Sequence, residues 1–160
     1  MLKPVLPIAG LLLLAACSTV GKVTPLTSTG GVTRATNMAL NVHGQCEAAA
    51  QCDELRGALA SRLVGASMAE RVVAAGQPAD MSLDVQVDQT RSVPGAVRVL
   101  FGAMAGRNSV TSTDTLRDRS GTVLRSFRVE SASASHPFSG ESNLSDAYRQ
   151  FASDTVTALR

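Results

Sequence analysis

The sequence has few aromatic residues: no Trp, one Tyr and four Phe in 160 residues. It therefore lacks the aromatic positions on which proteins commonly stack the bases of single-stranded nucleic acids. Charge of one sign is also lacking, since 15 Lys and Arg residues are balanced by 13 Asp and Glu residues. Nucleic-acid-binding domains usually present a basic surface, so this balance argues against that class. With 44% hydrophobic residues, the chain is not a disordered polymer either.

The motifs that identify common enzyme classes are absent too. The chain has no G-x-S-x-G sequence, phosphate-binding loop, dinucleotide-binding fingerprint or calcium loop. His136 stands alone in a polar stretch. Asp84 and Asp88 would lie about 13 Å apart along one strand face, which is too far for paired carboxylate catalysis. The sequence therefore predicts a protein that is not an enzyme and that uses no cofactor or metal.

The N-terminus has the layout of a secretory signal. Residues 1–17 read MLKPVLPIAGLLLLAAC, in which Lys3 precedes an apolar run and two alanines. The run is too short to cross a bilayer, which takes roughly 20 helical residues. We therefore expect residues 1–16 to be removed. Cleavage would leave 160 − 16 = 144 residues and, with Lys3 gone, would lower the net charge from +2 to +1.

Leu14-Ala15-Ala16-Cys17 resembles the lipobox of bacterial lipoproteins. The resemblance implies cleavage before Cys17, with a diacylglycerol on its sulfur and an acyl chain such as palmitate on its amine. Two or three acyl chains, at about 0.8 kcal/mol per buried CH₂, give a stable membrane anchor. Ser18 stands where lipoproteins retained in the inner membrane often carry Asp. The resemblance therefore implies a lipid-anchored protein on the periplasmic face of the outer membrane.

After the lipobox, the composition predicts a tether followed by one domain. Residues 18–31 are rich in Ser, Thr and Gly and show no periodicity, which indicates a flexible segment with a reach of roughly 20 Å. Residues 17–31 are thus expected to be the lipidated Cys and its tether. Residues 32–160 have the length and pattern of a single periplasmic domain.

The domain shows strand and helix patterns in separate groups. Strands are expected over Val32–Val42, Asp80–Val93, Ser109–Arg117 and Thr122–Ala132, the last two joined in a hairpin. Helices are expected over Glu47–Ser67 and from a cap at Asn143 to Leu159, whereas Met68–Ala75 suits a helix or a strand. This grouping favours an α+β fold, with a mostly antiparallel sheet of three to five strands and two amphipathic helices on one face.

Cys46 and Cys52 would meet an oxidising periplasm, where a disulfide is the expected state. Residues six apart in one helix lie about 9 Å apart along its axis, because each residue rises 1.5 Å. A disulfide needs Cα atoms within about 7 Å, so Cys46 would have to precede the helix. The alternatives are two free buried thiols, or a metal site that includes His43 and lacks a fourth ligand.

Residues 95–106 form an apolar segment of small residues, GAVRVLFGAMAG. The Gly102-x-x-x-Gly106 spacing permits close backbone approach. One interpretation is an interaction segment, formed by Leu100, Phe101, Gly102 and Gly106, that contacts a second copy, a membrane or a partner. The other is a small-residue segment buried beneath the sheet.

From Asp80 onward, the chain resembles a family of small bacterial lipoproteins of unknown function. The resemblance rests on Ala79–Leu83, Leu100–Gly106, Thr115–Asp118 with Ser120-Gly121, and Tyr148–Leu159. More distantly, the layout is similar to α/β domains of envelope assembly lipoproteins: the curli secretion lipoprotein, LpoB and the TolB N-terminal domain. These families share no catalytic residues, so the resemblance implies the fold class and no activity.

Two functions fit these features. The first is a non-catalytic interaction or assembly module of the cell envelope, which binds an envelope protein or associates with itself and binds no nucleic acid. The alternative is a small-ligand-binding or stress-related envelope lipoprotein, which would hold an apolar molecule between the sheet and the helices.

Overall fold

The computed structural model describes residues 20–46, 49–101, 106–133 and 144–160. The elements, in chain order, are β1 (Val20–Ser28), β2 (Ala35–Gly44), α1 (Ala49–Gly65), β3 (Ala69–Ala74), β4 (Met81–Arg91), α2 (Gly95–Phe101), β5 (Ser109–Asp118), β6 (Val123–Ala132) and α3 (Leu144–Leu159). The six strands form one sheet in the order β1-β6-β5-β4-β2-β3. The predicted α+β class is confirmed.

The sheet is mixed, so the prediction of a mostly antiparallel sheet of three to five strands is wrong. The pairs β1–β6, β6–β5 and β5–β4 are antiparallel, whereas β4–β2 and β2–β3 are parallel. Two strand pairs are parallel because of the crossover through α1. The helix takes the chain from the end of β2 back to the level at which β2 begins, so β3 runs in the same direction as β2. Residues 75–80 then lead to the other side of β2, which β4 joins in parallel.

The sixth strand comes from the predicted tether. Within residues 17–31, residues 20–28 form β1, which pairs with β6 from Val20↔Ala132 to Ser28↔Arg125. Its pattern is hard to read because, over residues 21–28, only Val23 packs on the core, and the register shifts between Pro25 and Thr27. Proline and a bulge are typical of edge strands, where one side of the backbone needs no partner.

The periodic patterns predict the other elements well. β4 alternates as expected, with Met81, Leu83, Val85 and Val87 buried. β5 and β6 form the predicted hairpin, and Gly121 N–H donates to the Asp118 carbonyl in its turn. The ambiguous segment Met68–Ala75 is strand β3. The predicted cap Asn143 lies outside the described residues.

The helices α1 and α3 pack side by side on one face of the sheet, as predicted. α1 lies against β2 and β3, and α3 lies against β1, β5 and β6. The buried side chains that they contribute include Leu55, Leu59, Leu63, Tyr148, Phe151, Val156 and Leu159. In the part of the chain that the structure describes, no helix has the length and apolar character needed to span a bilayer.

Candidate interaction site

The short helix α2 carries apolar side chains on the surface of the protein. It connects β4 to β5, and it begins with a turn in which Val97 N–H donates to the Pro94 carbonyl. Leu100 is 77% exposed, Phe101 61% and Val97 37%. Large side chains exposed to this degree on neighbouring positions are typical of a contact surface rather than of a monomer's surface.

Asn108 holds the connection at the base of α2. Its side-chain oxygen accepts the Val93 N–H at 2.7 Å, and its carbonyl accepts the Ser133 N–H at 2.9 Å. Asn108 is itself buried. It thereby joins the end of β4, the start of β5 and the end of β6 in one place. Sequence reasoning missed this residue; the signal was an Asn directly before a strand, a position that favours turn hydrogen bonds.

The structure describes three of the four residues of the predicted interaction segment. Leu100 and Phe101 are exposed, so the alternative of a segment buried beneath the sheet does not hold for them. Gly106 has a φ of +89°, and the Arg91 guanidinium lies beside it, 3.1 Å from where a Cβ would stand. Gly102 lies outside the described residues.

Cys46 and Cys52 form the predicted disulfide, with Cα atoms 5.8 Å apart. Cys46 precedes α1, as the helix geometry requires, and Cys52 lies in its first turns. The bond excludes the two alternatives, free thiols and a metal site with His43. The disulfide therefore ties the loop after β2 to the start of α1.

The sheet face opposite α1 and α3 is polar. Asp84 on β4 accepts from the Asn41 side chain at 2.7 Å, and its Oδ1 lies 3.2 Å from His43 Nε2. Asp88 accepts from Thr113 at 3.1 Å and pairs with Arg128 at 3.3 Å. The two aspartates thus belong to separate clusters. Both clusters are partly exposed, and each is typical of a solvated sheet face.

Metal-binding groups do not gather on this face or elsewhere in the described ranges. No three His, Cys, Asp or Glu side chains there come close enough to hold an ion. Cys17 and Ser18 lie outside those ranges, so their roles in lipidation and sorting remain predictions, and His136 also lies outside them.

A buried carboxyl group lies between β5 and α3. Asp114 is fully buried, and it accepts hydrogen bonds from the Ser112 hydroxyl at 2.6 Å and the Thr155 hydroxyl at 3.1 Å. Burial, together with the charges of Asp88 and Asp84, raises the pKa of Asp114 to about 7, although the two hydrogen bonds act to lower it. Sequence reasoning missed this cluster, although Ser112 and Asp114 share the strand face of buried Val110 and Leu116.

A surface groove of about 690 Å³ runs between α1 and α3. The groove is open because many of the side chains that line it are small, among them Gly57, Ala58 and Ser61 on α1 and Ala152 on α3. Arg62 crosses it to reach the Ser153 hydroxyl at 3.3 Å. The ligand-binding hypothesis places its ligand between the sheet and the helices, where buried side chains such as Leu59 pack instead.

Comparisons with known proteins identify the family and the fold. The model of the DUF4410 family, a domain of unknown function, matches residues 39–137. The PelC dodecamer from Paraburkholderia phytofirmans has the same fold, with 18% identity, a TM-score of 0.66, and coverage of 88% of this chain and 98% of that chain. A variant of that dodecamer gives 20% identity, a TM-score of 0.64, and coverage of 88% and 97%. No curated protein matches the chain.

Proposed function

This chain belongs to the DUF4410 family, and we propose that it is a non-catalytic assembly module of the bacterial cell envelope. In this proposal it is anchored by lipid on Cys17 to the periplasmic face of the outer membrane and associates head to tail with copies of itself. The observation that carries the proposal is the fold, which matches PelC, a dodecamer, over almost the whole of both chains.

A head-to-tail contact needs two different surfaces on one molecule. Two exposed apolar residues meet this requirement. Leu26 is 57% exposed on β1, one edge of the sheet, and Val64 is 43% exposed in the last turn of α1. α1 packs on β2 and β3, which form the opposite edge. We propose that the Leu26 edge of one copy contacts the Val64 edge of the next.

The proposed contact is made by side chains rather than by strand addition. β1 carries Lys22, Pro25 and the bulge at Leu26, and these features disfavour pairing with another strand. An apolar residue raised on a bulge can instead insert into a neighbouring surface. Such a contact repeats from copy to copy and closes when the rotation between copies allows it.

We expect Leu26→Glu and Val64→Glu each to convert the oligomer of the mature protein into monomers, because a charge would be buried at every contact. A mixture of the two variants should form one-to-one heterodimers and nothing larger. Each pair retains a single intact contact, made by Leu26 of one variant and Val64 of the other. Native mass spectrometry distinguishes the three species.

Val97→Glu is the matched control, since it makes the same change at an exposed apolar residue on the connection between β4 and β5, two strands in the middle of the sheet. It should leave the oligomer intact. If either edge variant keeps the wild-type mass, or if the mixture stays monomeric, the head-to-tail contact through these edges is wrong.

The proposed lipid anchor has its own test. Cys17→Ala should leave the protein soluble or unprocessed, because the acceptor for the lipid is lost. Ser18→Asp should keep the lipid and move the protein to the inner membrane. Membrane fractionation separates these outcomes, and a mature Cys17→Ala protein that remains membrane-bound would contradict the anchor.

A further inference from the structure

We infer that the α2 end of the sheet rests on an anionic lipid surface, the same membrane to which Cys17 would attach the chain. This inference deepens the proposed function and rests on its lipid anchor. Three separate observations point to it: the exposed apolar side chains of α2, the sign of the surrounding charges, and the place where the N-terminal strand begins.

The first observation is the exposure of α2. Val97, Leu100 and Phe101 lie within two helical turns, and all three are exposed. By contrast, Val93 just before the helix is buried. The connection is thus fixed at its base while the helix holds its apolar residues out towards the surroundings. Leu and Phe side chains placed in this way insert into the boundary between lipid headgroups and acyl chains.

The second observation is the charge of this region. From Gln89 to Thr113 the sequence contains three arginines, Arg91, Arg98 and Arg107, and no Asp or Glu. Of the acidic residues nearest to this stretch in the sheet, Asp114 is fully buried, and Asp88 and Glu130 both form ion pairs with Arg128. Basic residues beside exposed apolar ones match a surface of anionic headgroups, each contributing electrostatic attraction. An uncharged partner surface would not be attracted by this excess of positive charge.

The third observation is the strand register. Arg91 at the end of β4 pairs with Ser109, Ser109 pairs with Ala132, and Ala132 pairs with Val20 at the start of β1. The first residue of β1 and the base of α2 therefore lie at the same end of the sheet. The hairpin turn that contains Arg119 lies at the opposite end.

The anchor would lie close to this end. Cys17 precedes Val20 by three residues, and a chain of that length spans at most about 11 Å. A lipid on Cys17 would therefore hold the α2 end, rather than the Arg119 end, next to the bilayer. With residues 20–28 in the sheet, the standoff of roughly 20 Å that a free tether would allow is lost.

The chain itself supplies a clean probe, because it contains no Trp. Phe101→Trp adds the sole indole on α2, and Arg119→Trp adds it at the opposite end as the matched control. In the mature chain Cys17 is the only free thiol, since Cys46 and Cys52 are bonded to each other. Each variant can therefore be coupled through Cys17 to a maleimide lipid in phosphatidylglycerol vesicles that contain brominated lipid.

We expect bromine to quench most of the indole emission of the Phe101→Trp variant, with a shift to shorter wavelength, and to leave the emission of the Arg119→Trp variant unquenched. Adding Arg91→Glu to Phe101→Trp, or replacing phosphatidylglycerol by phosphatidylcholine, should reduce the quenching. Unquenched emission from vesicle-coupled Phe101→Trp protein would overturn the inference. Emission that is blue-shifted but unquenched would also overturn it, since a second copy would then cover α2.

The two proposals fail separately in these experiments. Coupling through the maleimide does not depend on lipidation in the cell, which is tested by the fractionation of Cys17→Ala. Quenching in the Phe101→Trp variant together with a soluble wild-type protein in cells would retain the docking surface and reject the anchor. The reverse pattern would retain the anchor and reject the docking surface.

Discussion

At pH 8.5 the protein is expected to be about 2–3 kcal/mol less stable than at pH 5, through Asp114 alone. The folded state holds the proton of this carboxyl group with a pKa of about 7, against an ordinary value of 3.8. Because the folded pKa is raised, this group stabilises the fold fully below pH 3.8. That contribution falls as the pH rises through the interval between the two values, and the loss is complete above about pH 7.

The physical reason is the position of the carboxyl group. Asp114 lies under α3, where water cannot solvate the charge, and the Ser112 and Thr155 hydroxyls donate hydrogen bonds to it. Asp84 and Asp88 on the other face of the sheet add repulsion. Ionisation therefore costs free energy in the folded state that it does not cost in the unfolded chain.

Asp114→Asn is the direct control, because it keeps the shape of the side chain and removes the titration. The variant should lose most of the difference in unfolding free energy between pH 5 and pH 8.5, and it should be more stable than the wild type at pH 8.5. Urea denaturation at the two pH values measures both quantities. A variant that retains the full wild-type pH dependence would place its origin elsewhere.

Gly44→Ala is expected to lower the free energy of unfolding by about 2–4 kcal/mol. Gly44 ends β2 with a φ of +112°, where an L side chain is strained. A Cβ there would also overlap the carbonyl oxygen of Val87. That oxygen accepts the Gln45 N–H at 2.8 Å, so the close approach also sets the path of the chain to Cys46.

Gly76→Ala separates the cost of backbone strain from the cost of the overlap with Val87. Gly76 also has a positive φ, +83°, but nothing lies within 4 Å of the position that its Cβ would take. It should cost about 1 kcal/mol, from backbone strain alone. Thermal or urea unfolding of both variants gives the comparison, and equal losses for Gly44→Ala and Gly76→Ala would show that the contact with Val87 contributes nothing.

Much of the fold can be predicted because the hydrophobic patterns that indicate strands and helices lie within short stretches of sequence. β4 alternates strictly, and α1 repeats Leu55, Leu59 and Leu63 at helical spacing. Strand direction is not local: nothing within β2, β3 or β4 shows that they run parallel. The sequence of β1 suggests a tether partly because one of its residues is Gly21. The Asp154 carboxylate of α3 approaches the backbone there, so the strand has no side chain at that position to mark an apolar face.

Some features of the candidate sites can likewise be predicted from the local sequence, and others cannot. The disulfide is predicted from the expected oxidising compartment, and helix geometry adds that Cys46 must precede the helix; the bond and the position of Cys46 are confirmed. The exposed character of Leu100 and Phe101 cannot be read from their sequence, because an apolar run suits a core and a contact surface equally. Asp114 escapes prediction because a polar residue between apolar ones suggests a solvated face, although Thr155 on the apolar stripe of α3 is a second polar anomaly that pairs with it.

The most direct test of the assembly proposal is the native mass of the mature, lipidated wild-type protein, extracted from membranes in mild detergent. We predict a single closed oligomer of fixed copy number, because each copy offers one Leu26 edge and one Val64 edge and the fold is similar to that of a protein that closes into a dodecamer. A monomer at every accessible concentration would contradict head-to-tail self-association and leave the shared fold without a shared assembly.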